Sequence, residues 1–219
     1  MRKQTDTREK LLCTAMSLIW QSNYTSVGVN EICKQAGVTK GSFYHYFETK
    51  ADLYYAAVLH YWEQMKQELD AVFSSGLSPL QQLDTLIDMV IGHAQVKQDT
   101  CGSASSQQVG GCPVFTSGGQ CGCEEVKVRQ AAQEMSEHKI AYDIRLVQNL
   151  KDDGLLNGDP DTTQLGRLLF QYIQGLLIYG RIYNDINCIK ADLREGIYRL
   201  IDLKQEYRTG TRPVSSQVA

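Results

Sequence analysis

The 219 residues carry 22 Lys and Arg against 25 Asp and Glu, giving a net charge of -3 and an isoelectric point near 5.8. That balance excludes a protein that coats nucleic acid indiscriminately, so any DNA contact must come from a local basic surface such as Arg2, Lys3, Arg8 and Lys10. No apolar run approaches the roughly 20 residues of a membrane span and no signal-peptide pattern opens the chain, so the expectation is a cytoplasmic protein whose cysteines serve packing, metal or redox roles rather than disulfides.

Apolar residues at Leu11, Leu12, Ala15, Leu18 and Ile19 predict an amphipathic helix over 7–21. Val29, Ile32, Cys33 and Ala36 repeat the spacing, with Gly28 as N-cap, Glu31 in the first turn, and Gly37 supplying the left-handed stop. Thr39 then caps a short helix through Phe43 and Phe47. A long helix is expected from about 49 to 73, and another after Ser78 and Pro79 carrying Leu80, Leu83, Ile87, Val90 and Ile91. Residues 99–122 are rich in Gly, Ser and Gln and read as loop with at most one short helical turn; a loop this long points to function. Helical periodicity returns from about 124 to 150, closed by Gly154, then from 161 to about 183 with an unusually broad apolar face, and finally from about 190. The polar tail from Thr209 is expected to be disordered.

No segment alternates as a strand, so the fold class is all-α. The expected organisation is a helix-turn-helix head over 1–50, a helical regulatory and dimerisation body over 51–208, and a tail over 209–219.

The run V-N-E-I-C-K-Q-A-G-V-T-K-G-S-F-Y-H-Y-F-E-T-K-A-D-L from Val29 resembles the helix-turn-helix of the TetR family of bacterial repressors. The resemblance covers about the first 60 residues and implies a three-helix DNA-binding head on an α-helical body that dimerises and binds an inducer. Physical reasoning agrees: a recognition helix enters the major groove by its N-terminal end, where small Gly41 and Ser42 permit close approach and Lys40, Tyr44 and His45 can reach phosphates or base edges. Carried over position by position, Asn30, Lys40, Gly41 and Tyr44 are candidates for base or groove contacts. Ser42, His45, Tyr46 and Lys50 are candidates for phosphates, with Thr39 at the cap joining the set. Phe43 and Phe47, four residues apart, read as core. Gly28 departs from the family, which often has a capping Thr there.

Two half-sites read by two identical heads require a dimer and a palindromic operator. Gly166, Gly175 and Gly180 in the broad-faced helix are expected to let it pack closely against a twin.

Cys101, Cys112, Cys121 and Cys123 fall within one 23-residue stretch. The segment G-C-P-V-F-T-S-G-G-Q-C-G-C-E-E resembles the branch of the family that represses reductases for electrophile detoxification, which implies Cys112 as the reactive thiol with Cys121 or Cys123 as a resolving partner. Such chemistry asks for an exposed thiolate, its pKa lowered by a cation or a helix start. The alternatives are a zinc or other thiophilic-metal site on the same four cysteines, with His93 and His138 near in sequence, and an apolar ligand in a pocket bounded by Met89, His93, Phe170, Tyr172, Tyr179 and Tyr183. Cys13, Cys33 and Cys188 read as buried small hydrophobes. No bound cofactor is otherwise expected. No phosphate-binding Gly loop, H-E-x-x-H or G-x-S-x-G motif suggests an enzyme.

Overall fold

The computed structural model describes residues 2–94, 109–120 and 125–208, with side chains described from residue 7. The tail from Thr209, and Cys101, Cys121 and Cys123, lie outside the described residues. Within them the chain forms nine α-helices and no strand: α1 (Arg2–Gln21), α2 (Val29–Ala36), α3 (Lys40–Tyr46), α4 (Lys50–Ser74), α5 (Pro79–Ala94), α6 (Pro113–Gln120), α7 (Val126–Asp152), α8 (Thr162–Tyr183) and α9 (Ile186–Leu200). None is long and apolar enough to cross a membrane.

The three-helix head follows its cap chemistry. Gly28 opens α2 in extended conformation without a side-chain cap, and its carbonyl accepts from Glu31 and Ile32. At the other end Gly37 adopts φ +66°, where any other L-residue would be strained, so that the Val38 amide can turn back to Cys33 O at 3.0 Å. Two residues later Thr39 Oγ1 accepts from the Ser42 amide and starts α3. Leu11, Leu12, Ala15, Ile19, Ile32, Phe43 and Phe47 close around one another as the head's core. The packing continues into α4, where Tyr54 meets Tyr24 edge-on at 5.1 Å. Thr49 and Asp52 form a reciprocal capping box at the α4 start.

In the body, α7 packs on α8 and α4, while α8 packs on α9. A Cβ at Gly166 would lie 2.7 Å from the Ile144 amide nitrogen, and one at Gly180 would lie 2.6 Å from Ile189 Cδ1. These two glycines therefore serve close helix crossings inside the chain, contrary to the expectation of contact with a twin. Gly175 alone of the three faces open space.

Two element boundaries also differ from expectation. Residues 113–120, expected as little more than a turn, form two turns of α6: Pro113 suits the first helical position, and Gly118 lets α6 approach α7 so closely that a Cβ would sit 2.5 Å from that of Ala132. The last helix begins at Ile186 rather than near 190, because Asp185 accepts from the Asn187 amide and caps it.

Candidate nucleic-acid interface and body cavity

On α3 the inward and outward sides separate cleanly. Phe43 is wholly buried and Phe47 nearly so, whereas Tyr44 is 58 % exposed and Lys40, Gly41 and His45 are exposed beside it. Asn30 on α2 and the cap Thr39 are also exposed, while Ser42 is half-buried with its hydroxyl 3.0 Å from that of Thr39. The α3 start thus presents backbone amides, a cation, a phenol and an imidazole around a glycine, a set suited to phosphates and base edges.

Two of the expected phosphate ligands are placed differently. Tyr46 is half-buried against the core and packs edge-on to His45 at 4.9 Å. Lys50 turns inward: its ammonium donates to the carbonyls of Tyr24 at 2.9 Å and Val27 at 3.1 Å, and lies 4.2 Å from the Tyr24 ring centre. It fastens the α1–α2 turn to α4. Nothing in the residue's sequence position distinguishes that use from a phosphate contact.

The head and α4 are tied to the rest of the body by side chains from α8, from α7 and from Glu125 just before it. Arg181 donates to Trp20 O, Ser22 O and Gly110 O, so one guanidinium holds the end of α1 and the segment leading into α6. Lys127 pairs with Asp52, Tyr55 donates to Glu134 at 2.7 Å, and Tyr24 donates to Glu125 at 3.3 Å.

Between α4, α5, α6, α7 and α8 lies a cavity of about 100 Å³, lined mainly by apolar side chains. Met89, His93 and Phe170 line it as expected; Tyr172 and Tyr179 instead line an outer groove between α8 and α9, and Tyr183 is exposed. Broad periodicity on α8 hid this division, since one helix serves two surfaces. Sequence reasoning missed the cavity's polar residues Lys139, Asp143 and Gln174. The signal was available: Asp143 falls in the buried stripe of Met135, Leu146 and Leu150, and Gln174 in that of Phe170 and Leu177.

Cys112 lines the same cavity, immediately before α6, and its sulfur accepts from the Phe115 amide at 3.5 Å. The expectation of an exposed, acidified thiolate does not hold. Burial pushes the Cys112 thiol up, and the amides of Phe115 and Val114 at the helix start recover only part of that rise. Cys33 is buried as expected, Cys188 is half-buried, and Cys13 is exposed, with its sulfur 3.8 Å from His60 Nε2.

Residues 11–57 match the family of bacterial regulatory proteins designated tetR. Over 78 residues the chain is 41 % identical to the HTH-type transcriptional repressor NemR of Escherichia coli K12, a match covering 35 % of this chain and 39 % of the relative. The aligned stretch therefore spans about two fifths of that relative's length. The fold superposes on the crystal structure of reduced E. coli NemR with a TM-score of 0.76 at 21 % identity, covering 91 % of this chain and 99 % of the other. It also superposes on a cysteine mutant of the TetR-family regulator CifR bound to 26-bp operator DNA, with a TM-score of 0.70 at 18 % identity and coverage of 88 % and 94 %. At these identities the structural likeness speaks for the fold.

Proposed function

We propose that this chain, which belongs to the TetR family of bacterial regulatory proteins, is a dimeric transcriptional repressor that is released from its operator when electrophiles or oxidants modify Cys112. The observation that carries the DNA-binding reading is the division of α3 into a buried Phe43–Phe47 side and an exposed Lys40–Tyr44–His45 side on a correctly capped helix-turn-helix. A relative described as a repressor and a structural neighbour bound to operator DNA support the same reading.

A second protomer has a natural place to dock. Leu168, Gly175, Tyr179 and Ile182 recur at helical spacing along the outward side of α8, and Ile182 is 74 % exposed. Pairing there sets the separation of the two heads.

Sensing is read from the route between cavity and head. Cys112 lies two residues beyond Gly110, whose carbonyl holds Arg181, which in turn holds the end of α1. An electrophile entering the cavity meets a thiol whose raised pKa favours the protonated form; loss of that proton gives the thiolate, whose sulfur adds to the electrophilic carbon, and the proton is returned to the adduct. The adduct needs space beside Gly111, and displacement of this segment pulls on Arg181.

The test is fluorescence anisotropy of labelled upstream intergenic DNA with reduced protein, repeated after a quinone, hypochlorite or zinc, on wild type and Cys112→Ser. Release by quinone or hypochlorite from wild type but not from Cys112→Ser is the expected result. Release by zinc alone would transfer the role to a metal site on Cys101, Cys112, Cys121 and Cys123; DNA affinity without salt dependence would remove the operator reading.

A further inference from the structure

Two residues that line the cavity carry buried acceptors without a hydrogen-bond partner among the described residues. Asp143 and Gln174 are 2 % and 7 % exposed and line the same space. Asp143 Oδ1 accepts from the Lys139 ammonium, but among the described residues Asp143 Oδ2 and Gln174 Oε1 have no hydrogen-bond partner. Buried polar atoms are nearly always paired, and an acceptor left dry in an apolar surrounding is costly. These two oxygens come from different helices, α7 and α8, that are packed on one another.

We infer that the cavity is a non-covalent site for a small, uncharged, largely apolar molecule bearing hydroxyl donors, a phenol or catechol, whose hydroxyls donate to Asp143 Oδ2 and Gln174 Oε1. Size sets the first limit. A cavity of about 100 Å³ is smaller than the apolar cavity of about 150 Å³ that admits benzene, so nothing larger than a single ring can enter and the apolar lining must give slightly to take one. Charge sets the second. Lys139 already matches the Asp143 carboxylate, so a cationic ligand would leave an uncompensated positive charge in an apolar space, and an anion would bring acceptors to acceptors.

Donor polarity sets the third limit. A quinone carries only acceptor oxygens and cannot satisfy either atom, whereas the corresponding quinol can satisfy both. The same cavity therefore distinguishes two redox forms of one ring: the quinone as a reagent for Cys112, and the quinol as a reversible ligand at Asp143 and Gln174. As a binding site this does not depend on the DNA-binding reading; as an effector site it rests on it.

The test is isothermal titration of the intact, DNA-free protein with catechol, phenol, toluene and benzylamine, on wild type and Gln174→Met. Catechol is expected to bind wild type about tenfold or more tighter than toluene, the scale of one satisfied buried acceptor. Gln174→Met, which keeps volume and removes the acceptor, should abolish most of that preference while leaving toluene unchanged. Equal binding of catechol and toluene by wild type, preference for benzylamine, or no binding at millimolar catechol would overturn the inference and assign the two acceptors to water. The wild-type ranking decides the matter even if Gln174→Met does not fold. Anisotropy with operator DNA separates the layers: catechol binding without DNA release keeps the site and removes its effector role.

Discussion

The guanidinium of Arg181, in the last turn of α8, donates to the carbonyl of Ser22 at 2.6 Å, just beyond the end of α1. The same group reaches Trp20 O at 3.4 Å and Gly110 O at 2.7 Å. Helix-terminal carbonyls have no partner within their own helix, and a forked, permanently charged donor satisfies several at once. Arg181→Met should therefore destabilise the fold by about 1–2 kcal/mol, since charge-assisted hydrogen bonds are lost at a half-buried site. It should also break the link from Gly110 to the head. Urea melts check the first effect. The second appears as DNA binding that survives Cys112 modification, confirmed by mass spectrometry; normal release from Arg181→Met would show that the signal travels elsewhere.

Two lysines of the head should behave oppositely. Lys40 is exposed at the α3 start, so Lys40→Met should reduce the salt dependence of operator binding by about one phosphate contact, a slope change near 0.9, with little effect on stability. Lys50 holds Tyr24 O and Val27 O, so Lys50→Met should lower stability by about 1–3 kcal/mol and change the slope little at temperatures where the head stays folded. Tyr44→Ala should weaken operator binding without loss of helical content, because the ring is 58 % exposed. Circular dichroism and anisotropy titrations between 50 and 200 mM salt on the three variants, a range over which phosphate contacts dominate affinity, separate these roles.

The difference between those lysines marks where sequence reasoning stops. Caps and turns are local, so Gly37 and Thr39 were legible as the punctuation of helices, and so was the core pair Phe43 and Phe47. Side-chain destination is a tertiary property. Lys50 has the same chemistry whether it meets a phosphate or two carbonyls, and only the return of the α1–α2 turn over α4 decides. The glycines of α8 show the same limit. Gly166 and Gly180 are consumed by crossings with Ile144 and Ile189, which no periodicity on α8 alone reveals. Cys112 was legible as a singular position, but its acidity was misjudged because a helix start lowers a thiol pKa only where burial does not raise it more.

Substitutions on α8 should split by the face they occupy. Gly166→Ala places a Cβ 2.7 Å from a backbone nitrogen that cannot rotate away, and should cost about 1–3 kcal/mol in the folded protomer. Gly175→Ala meets nothing within 4 Å among the described residues and should be neutral, or stabilising by up to about 1 kcal/mol through helix propensity. Ile182→Arg leaves the protomer's own packing alone, as Ile182 is 74 % exposed, but would bury an unpaired charge in a two-fold pairing of α8. Sedimentation velocity should show a dimer for wild type and Gly175→Ala, and a monomer for Ile182→Arg. A dimeric Ile182→Arg would move the interface off this stripe.

The Asp143 carboxyl gives a pH dependence whose direction runs against the usual ion-pair intuition. Burial raises its pKa, and Lys139 offsets only part of the rise. A carboxyl held above its unfolded value binds more protons in the folded state than in the unfolded one. Its contribution to stability is therefore complete below about pH 4, the unfolded range, and is lost as pH climbs through the folded value. Asp143→Asn removes this titration while retaining an acceptor for Lys139. The stability of wild type minus that of Asp143→Asn should accordingly fall as pH is raised from 4 to 7, measured by thermal melts at matched ionic strength so that all other groups cancel. If the difference instead grows with pH, the Lys139 pairing dominates desolvation and the carboxylate is held as a stabilising ion pair.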